Sequence, residues 1–326
     1  MADGFPLVTT RKVPYKAIIK EMLWFISGST DNRVLNEQGV KIWDKWAVRQ
    51  EDIDKFCEKH KEVFGENVEY ARAGLKEEML GNIGPLYSMA WRAAPVTRIN
   101  PLLKVTEDMF ASDKIKHVKQ AFDEMMAGKQ TSDEERAEVW QEFITHTYQA
   151  HVDQLHNLVT SLKKDPYGSR HVMSAWIPEW LPIPGLYPQE NVLMLRGALA
   201  PCHVLVQCHV VPPNDGEKPK LILQMYQRSV DTPVGAVFNI AQYAVLLHLL
   251  AKVCGYEPYE FIYNTGDVHV YSDQVDLVKE QLKRSPRKLP KLVLDDSITD
   301  LFQVTADQID VIEYDPDETI AYPVAV

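Results

Sequence analysis

Val204, Val206 and Cys208 alternate with Leu205, Gln207 and His209, a period of two that reads as a β-strand. A second strand-like run, Leu221 to Tyr226, follows Pro212-Pro213-Asn214-Asp215-Gly216, whose Pro and Asp-Gly chemistry turns the chain. Two strands and a turn make an antiparallel hairpin, and a hairpin fixes which residues meet. With the turn centred near Asp215, partners have numbers summing to about 430. Cys202, in Ala200-Pro201-Cys202-His203 at the mouth of the first strand, therefore falls opposite Arg228 of Gln227-Arg228-Ser229. A fixed cation lowers a thiol pKa from about 8.5 toward neutrality, and the thiolate is the nucleophile. The alternative is a small buried residue, the commoner fate of a strand cysteine. The opposed arginine and the adjacent His203 weigh against it.

At 326 residues the chain can bury a sizeable core, as one large domain or two ordinary ones. A net charge of -11 argues against a protein built to coat nucleic acid, yet leaves room for a local basic pocket that holds one phosphate. No apolar run approaches the 18 or so residues of a spanning helix, and Met1-Ala2-Asp3-Gly4 lacks a signal-peptide layout, so no membrane partner and a cytoplasmic location are expected. Cysteines 57, 202, 208 and 254 form neither a metal motif nor a dense disulfide framework. Free thiols and no metal are expected.

Asp3 to Thr10 is an extended opening. From Pro14 a helix is expected, with Ile18, Ile19, Met22, Leu23 and Ile26 on one face and Gly28 as its stop. Glu21 borders that face; it is either a surface group or, if buried, a carboxyl with the raised pKa useful in proton transfer. Trp43 and Trp46 lie three residues apart, as core or as a ligand platform. Ala47 to Leu80 and Val105 to Gln149 are charged and mostly helical in pattern, and Pro178 to Leu199 is rich in proline and turn residues. The expected organisation is one catalytic domain, 1–326, with insertions near 47–80, 93–150 and 178–198. Arg170 and His171 stand at a turn-to-strand junction before a strand reaching Trp176. Phe238 to Cys254 is the strongest helix, stopped by Gly255, with Asn239 on its first turn as a candidate cap. Tyr259 to Tyr271 reads as strand, turn and strand, with His269 and Tyr271 facing the same way.

Taken in order, Asp3-Gly4-Phe5-Pro6-Leu7-Val8-Thr9-Thr10, Glu21-Met22-Leu23-Trp24-Phe25, Ile42-Trp43-Asp44-Lys45-Trp46, Gly84-Pro85-Leu86-Tyr87, Ala200-Pro201-Cys202-His203, Gln227-Arg228-Ser229, Phe238-Asn239-Ile240-Ala241, His269-Val270-Tyr271 and Pro323-Val324-Ala325-Val326 make the chain resemble the thymidylate synthase family. The resemblance implies an α/β (α+β) fold whose twisted, mostly antiparallel sheet packs back to back in a homodimer with shared active sites. It implies small-molecule partners, dUMP and the co-substrate 5,10-methylenetetrahydrofolate. By the resemblance Cys202 adds to carbon 6 of the uracil ring, Arg228 and Ser229 bind phosphate, and Glu21, Tyr87 and His203 organise proton transfer at the 4-oxo group. Asn239 matches the residue that reads the base, His269 and Tyr271 the ribose ligands, and Arg170 an arginine reaching the phosphate of the partner subunit. Trp43, Trp46, Asp231, Gly235, Phe238 and Val326 match positions around the folate.

The chain departs from the family pattern at several points. The family's Arg-Thr-Gly loop before the opening motif has no counterpart, so the chain is shortened or phosphate binding is rearranged. His171 replaces a second arginine among the substrate ligands, Ile177 follows Ser174-Ala175-Trp176 in place of asparagine, and Ser88 replaces a glycine. Reductive methylation of dUMP is the leading expectation. The rivals are hydroxymethylation, in which water captures the exocyclic methylene, and a nucleotide-binding or regulatory homologue without catalysis.

Overall fold

The computed structural model describes residues 4–97 and 149–324 and a few positions between them. Its helices are α1 (Tyr15–Ser27), α2 (Gln50–Lys59), α3 (Val68–Met79), α4 (Tyr87–Ala93), α5 (Gln154–Lys164), α6 (Pro188–Leu193), α7 (Val237–Cys254) and α8 (Val275–Leu282), with shorter turns between them. Its strands are β1 (Ala94–Thr97), β2 (Gln149–Val152), β3 (Val172–Ser174), β4 (His203–Val211), β5 (Lys220–Asp231), β6 (Glu257–His269), β7 (Lys291–Leu294) and β8 (Ile309–Ile312). This mixture of helix and sheet is the expected class. The chain divides into two compact units, residues 1–92 with 153–326, and residues 93–152.

In the smaller unit β1 and β2 pair antiparallel, Ala94 opposite Val152. Ser132 and Glu135 cap each other: the Ser132 backbone N–H donates to the Glu135 carboxylate at 2.9 Å, and the Glu135 N–H donates to Ser132 Oγ at 3.2 Å. This unit is the stretch read as the second insertion, most of which lies outside the described residues.

In the larger unit the sheet runs β3-β4-β5-β6, antiparallel except for the parallel β5–β6 pair. α7 supplies the crossover that a parallel pair requires. The hairpin forms as expected: His203 pairs with Gln227, a bulge follows, and from Leu205 opposite Tyr226 the pairing runs to Val211 opposite Lys220. Alternation puts Val206, Cys208, Val210, Leu221, Leu223 and Met225 in the core. The opposite face, including Leu205, His209, Gln224 and Tyr226, stays exposed.

β6 corrects the strand-turn-strand reading, because it runs unbroken from Glu257 to His269. Gly266 is no turn residue. A Cβ there would meet the Arg228 carbonyl oxygen at 2.7 Å and Tyr226 Oη at 3.0 Å, so glycine marks a close backbone approach within a strand.

α7 is apolar nearly all round because it is packed nearly all round, with Ala241 to Leu247 and Leu249 to Ala251 all buried. With the turn before it, Thr232–Cys254, it is long and apolar enough to cross a membrane, contrary to the sequence expectation, yet two thirds of it lies inside the protein. α1 and α7 end at Gly28 and Gly255, both left-handed, as expected. Pro178 to Leu199 holds more order than a loop. Pro188 starts α6, whose Gln189, Asn191, Val192 and Leu193 are buried. The chain's two ends meet: the Phe5 N–H donates to the Pro290 carbonyl at 2.8 Å and the Asp317 N–H to the Thr9 carbonyl at 2.8 Å.

Candidate active site

Cys202 ends the loop that enters β4, and the hairpin brings Arg228 against it. The Arg228 backbone N–H donates to the Cys202 carbonyl at 2.9 Å. Its side chain donates from Nε to the Pro201 carbonyl at 2.9 Å and from Nη2 to the Ala200 carbonyl at 2.8 Å, with Nη2 also 4.0 Å from Cys202 Sγ. The guanidinium is thus clamped to the loop carrying the thiol, and it lies 5.7 Å from the centre of the Trp176 ring. On the other side the Cys202 N–H donates to Tyr87 Oη at 2.8 Å. The thiol pKa nevertheless lies above its usual value, because burial outweighs the lowering by Arg228 and Tyr87. That corrects the expectation that the arginine alone makes a ready thiolate.

His203 stacks on Tyr87 at 4.6 Å and meets Tyr243 edge-on at 5.2 Å. Burial pushes its pKa down to about 4, against the pull of the nearby Asn239 amide. The imidazole is neutral near pH 7, so what it brings to Tyr87 and Tyr243 is packing rather than charge.

Glu21 lies inside, 7% exposed, which decides between the two readings of its place on α1. Burial raises its pKa to about 8, with hydrogen bonds from Trp43 and Gln242 opposing the shift. Trp43 donates from Nε1 to Glu21 Oε1 at 2.7 Å, and Gln242 donates to Oε2. Gln242 Oε1 in turn accepts from Asn239 Nδ2 at 3.1 Å, Asn239 Oδ1 from Gln227 Nε2 at 2.9 Å, and Gln227 Oε1 from the Tyr263 hydroxyl at 2.8 Å. Every donor in this row points toward the carboxyl, so the bonds polarise one another. Asn239 is accordingly not a helix cap: α7 is entered through a π-helical turn, Thr232–Ala236, and has no side-chain cap.

A second group gathers beyond β5. Gln274, fully buried, donates from Nε2 to Asp231 Oδ2 at 3.2 Å and to the Pro323 carbonyl at 3.0 Å. Asp231 Oδ1 is buried without a partner among the described residues, an acceptor open to an N–H donor. Gly235 stands between the two sites, where a Cβ would lie 3.5 Å from Asn239 Oδ1 and 3.7 Å from Asp231 Cβ. Lys45, between the two indoles in sequence, donates to the Val324 carbonyl at 3.4 Å, so the tail reaches the tryptophan segment. Trp46 is half-buried, its ring 5.5 Å from that of Trp43. Trp43 is buried and its N–H is spent on Glu21, which ties the indole to the row that ends on that carboxyl. Phe238 is half-buried on the first turn of α7, and Val326 lies outside the described residues.

At the ends of the paired strands Ser229 stands opposite Asp267 and Asp231 opposite His269. His269 Nδ1 is 3.2 Å from Asp267 Oδ2, and its ring meets Tyr271 at 5.0 Å. Arg170 and His171 do not join this cluster. The His171 carbonyl accepts from the Cys208 N–H at 2.8 Å, and Cys208 is six residues along β4 from Cys202, roughly 20 Å at strand rise. Arg170 is exposed there, whereas His171 is buried, 2.9 Å from Ser161 Oγ. Sequence reasoning gave no role to Gln227, Gln242 or Gln274, though glutamine inside an otherwise apolar helix was a visible signal at position 242. Among the described residues no group of three or more His, Cys, Asp or Glu is placed to hold a metal.

A sequence model of the family described as thymidylate synthase matches residues 1–326. The thymidylate synthase of Saccharomyces cerevisiae is 34% identical over 327 aligned residues, which cover 99% of this chain and 84% of the yeast protein. Those of Listeria monocytogenes and Listeria innocua are each 34% identical over 326 residues, covering 100% of this chain and 88% of theirs. Matched along its whole length by family and relatives alike, the chain belongs to the thymidylate synthase family and is an enzyme of that type.

Proposed function

We propose that the chain converts dUMP to dTMP, with Cys202 as the nucleophile and the residues gathered around it in the roles that follow. The observation that carries this reading is the Cys202 segment held between Arg228 and Tyr87, beside the hydrogen-bonded row that ends on the buried Glu21 carboxyl. Cys202 adds to carbon 6 of the ring, and Tyr87 and Arg228 stabilise the thiolate as it forms. Glu21 carries its proton near neutral pH and acts as the acid toward the 4-oxo group on which charge develops. Asn239 reads the base and neutral His203 supports the network. Arg228 Nη1 and Ser229 hold the phosphate; His269 and Tyr271 hold the ribose hydroxyl. Methylenetetrahydrofolate supplies the carbon and the hydride. Asp231, Gly235, Phe238, Trp46, Trp43 and the tail ending at Val326 hold it over the ring and keep water out.

The exposed face of the sheet, with Leu205 beside Tyr226, supports a back-to-back homodimer. In that dimer the exposed Arg170, far from its own Cys202, serves the partner's phosphate. All four cysteines are free thiols, which supports a reducing, cytoplasmic setting. The shared name of the relatives favours methylation over hydroxymethylation.

The products test the reading. The wild-type reaction should give dTMP and dihydrofolate one for one, read by mass spectrometry and by the absorbance rise of folate oxidation; 5-hydroxymethyl-dUMP as the main product would hand the assignment to the rival. Arg228→Ala should weaken dUMP binding and also slow alkylation of Cys202 by iodoacetamide about three- to tenfold, since it removes the cation that lowers the thiol pKa. An unchanged alkylation rate would remove Arg228 from thiolate stabilisation.

A further inference from the structure

An asparagine amide has nearly the same shape when turned by 180° about its last bond, with donor and acceptor exchanged. Uracil presents a 4-oxo acceptor beside an imide N–H; cytosine presents a 4-amino donor beside an unprotonated ring nitrogen. One orientation of the amide matches uracil and the other matches cytosine. Asn239 alone therefore makes no choice between them, and the choice falls to whatever holds the amide.

Two groups hold it. Gln227 Nε2 donates to Asn239 Oδ1 at 2.9 Å, and Gln242 Oε1 accepts from Asn239 Nδ2 at 3.1 Å. Turned over, the amide would set donor against donor and acceptor against acceptor. Gln242 lies three residues from Asn239 on α7, hence on the same face, and is only 1% exposed. Its own orientation is set from the far side by the Nε2 bond to Glu21 Oε2, while Trp43 holds the other carboxyl oxygen. Gln227 is oriented likewise, by the Tyr263 hydroxyl at 2.8 Å and the Ser229 carbonyl at 2.9 Å.

We propose that Gln242 is a specificity-determining positioning residue, which fixes the way round that Asn239 presents its amide and so commits the site to uracil over cytosine without touching the ring. The inference rests on Asn239 as the base reader. It also makes the proton-transfer carboxyl and the base reader one unit, joined through a single side chain.

The test is tritium release from carbon 5 of labelled dUMP and labelled dCMP, each read as kcat/KM. Gln242→Met keeps the bulk and removes both polar atoms, so the dUMP-over-dCMP ratio should fall about tenfold or more, the size expected when an orienting hydrogen bond is lost. If rates on both nucleotides fall together and the ratio holds, Gln242 is merely structural and the proposal is overturned. In an Asn239→Ala background no amide remains to orient, so adding Gln242→Met should leave the ratio within about twofold; a further tenfold fall there overturns the proposal too. Asn239→Asp separates the two layers. A ratio unmoved by Asn239→Asp removes Asn239 as base reader, whereas a ratio moved by that change and not by Gln242→Met leaves the base reader standing and sinks the role of Gln242. Should the methionine variant fail to fold, Gln242→Asn, whose shorter amide cannot bridge both partners, carries the same expectation and the same overturning result.

Discussion

Replacing Cys202 with alanine should lower turnover by at least about 10⁴-fold, as losing the nucleophile of a covalent mechanism does, while dUMP binding stays within about threefold of wild type. The two effects separate because the thiol makes the bond and other groups hold the nucleotide. The loop keeps its shape without the sulfur: Arg228 is anchored by the Pro201 and Ala200 carbonyls, and Tyr87 by the residue-202 backbone N–H. Tritium release from carbon 5 measures the first effect and titration calorimetry with dUMP the second. Release within tenfold of wild type would show that another group attacks the ring.

Glu21→Gln should cost roughly 10²- to 10⁴-fold in kcat/KM, the usual range for a positioned acid, and should also change how stability depends on pH. Burial holds the Glu21 pKa near 8 in the folded protein, whereas an unfolded glutamate titrates near 4.3. Between those values the folded state keeps a proton that the unfolded state has released, so stability falls as pH rises. From pH 6 to pH 8.5 the loss from this one group is about 2–3 kcal/mol. Glutamine does not titrate, so the variant should lose that share of the slope and gain on the wild type as the solution becomes more alkaline. Denaturant unfolding of both proteins at the two pH values reads the difference. Parallel curves would mean that Glu21 is ionised in the folded protein and is not the acid.

The hairpin was legible because two independent signals agreed, the alternation in both strands and the Asp-Gly turn, and together they put Arg228 beside Cys202 to the residue. The thiol pKa was not, since a sequence displays the cation and hides the burial that outweighs it. The turn expected within Tyr259 to Tyr271 was a misreading of a related kind: glycine in such a run fits a turn or a close approach, and only the Arg228 carbonyl against Gly266 says which. Asn239 looked like a cap because α7 hides its true entrance in a π-helical turn. The row from Tyr263 to Glu21 draws on α1, β5, α7 and β6, so no window of sequence contains it. Gln242 left a local trace, an amide amid Ala241, Tyr243 and Ala244, but its partner Glu21 lies 221 positions away.

The joining of Phe5 to Pro290 has a consequence for the newborn chain. Translation at 5–20 residues per second puts roughly 15–60 s between the emergence of those two residues. For that interval the backbone bond that seats Phe5 is unmade, and Phe5 and Leu7, both buried in the finished protein, give a holdase that shields apolar segments something to bind, even once the ring partner of Phe5, His248, has emerged. Loop-closure entropy is a mild obstacle, since each doubling of the span adds only about 0.6 kcal/mol. The wait is the harder part. Gln274, which ties Asp231 to Pro323, adds a second and later appointment, so the contacts around Asp231 close after those around Phe5.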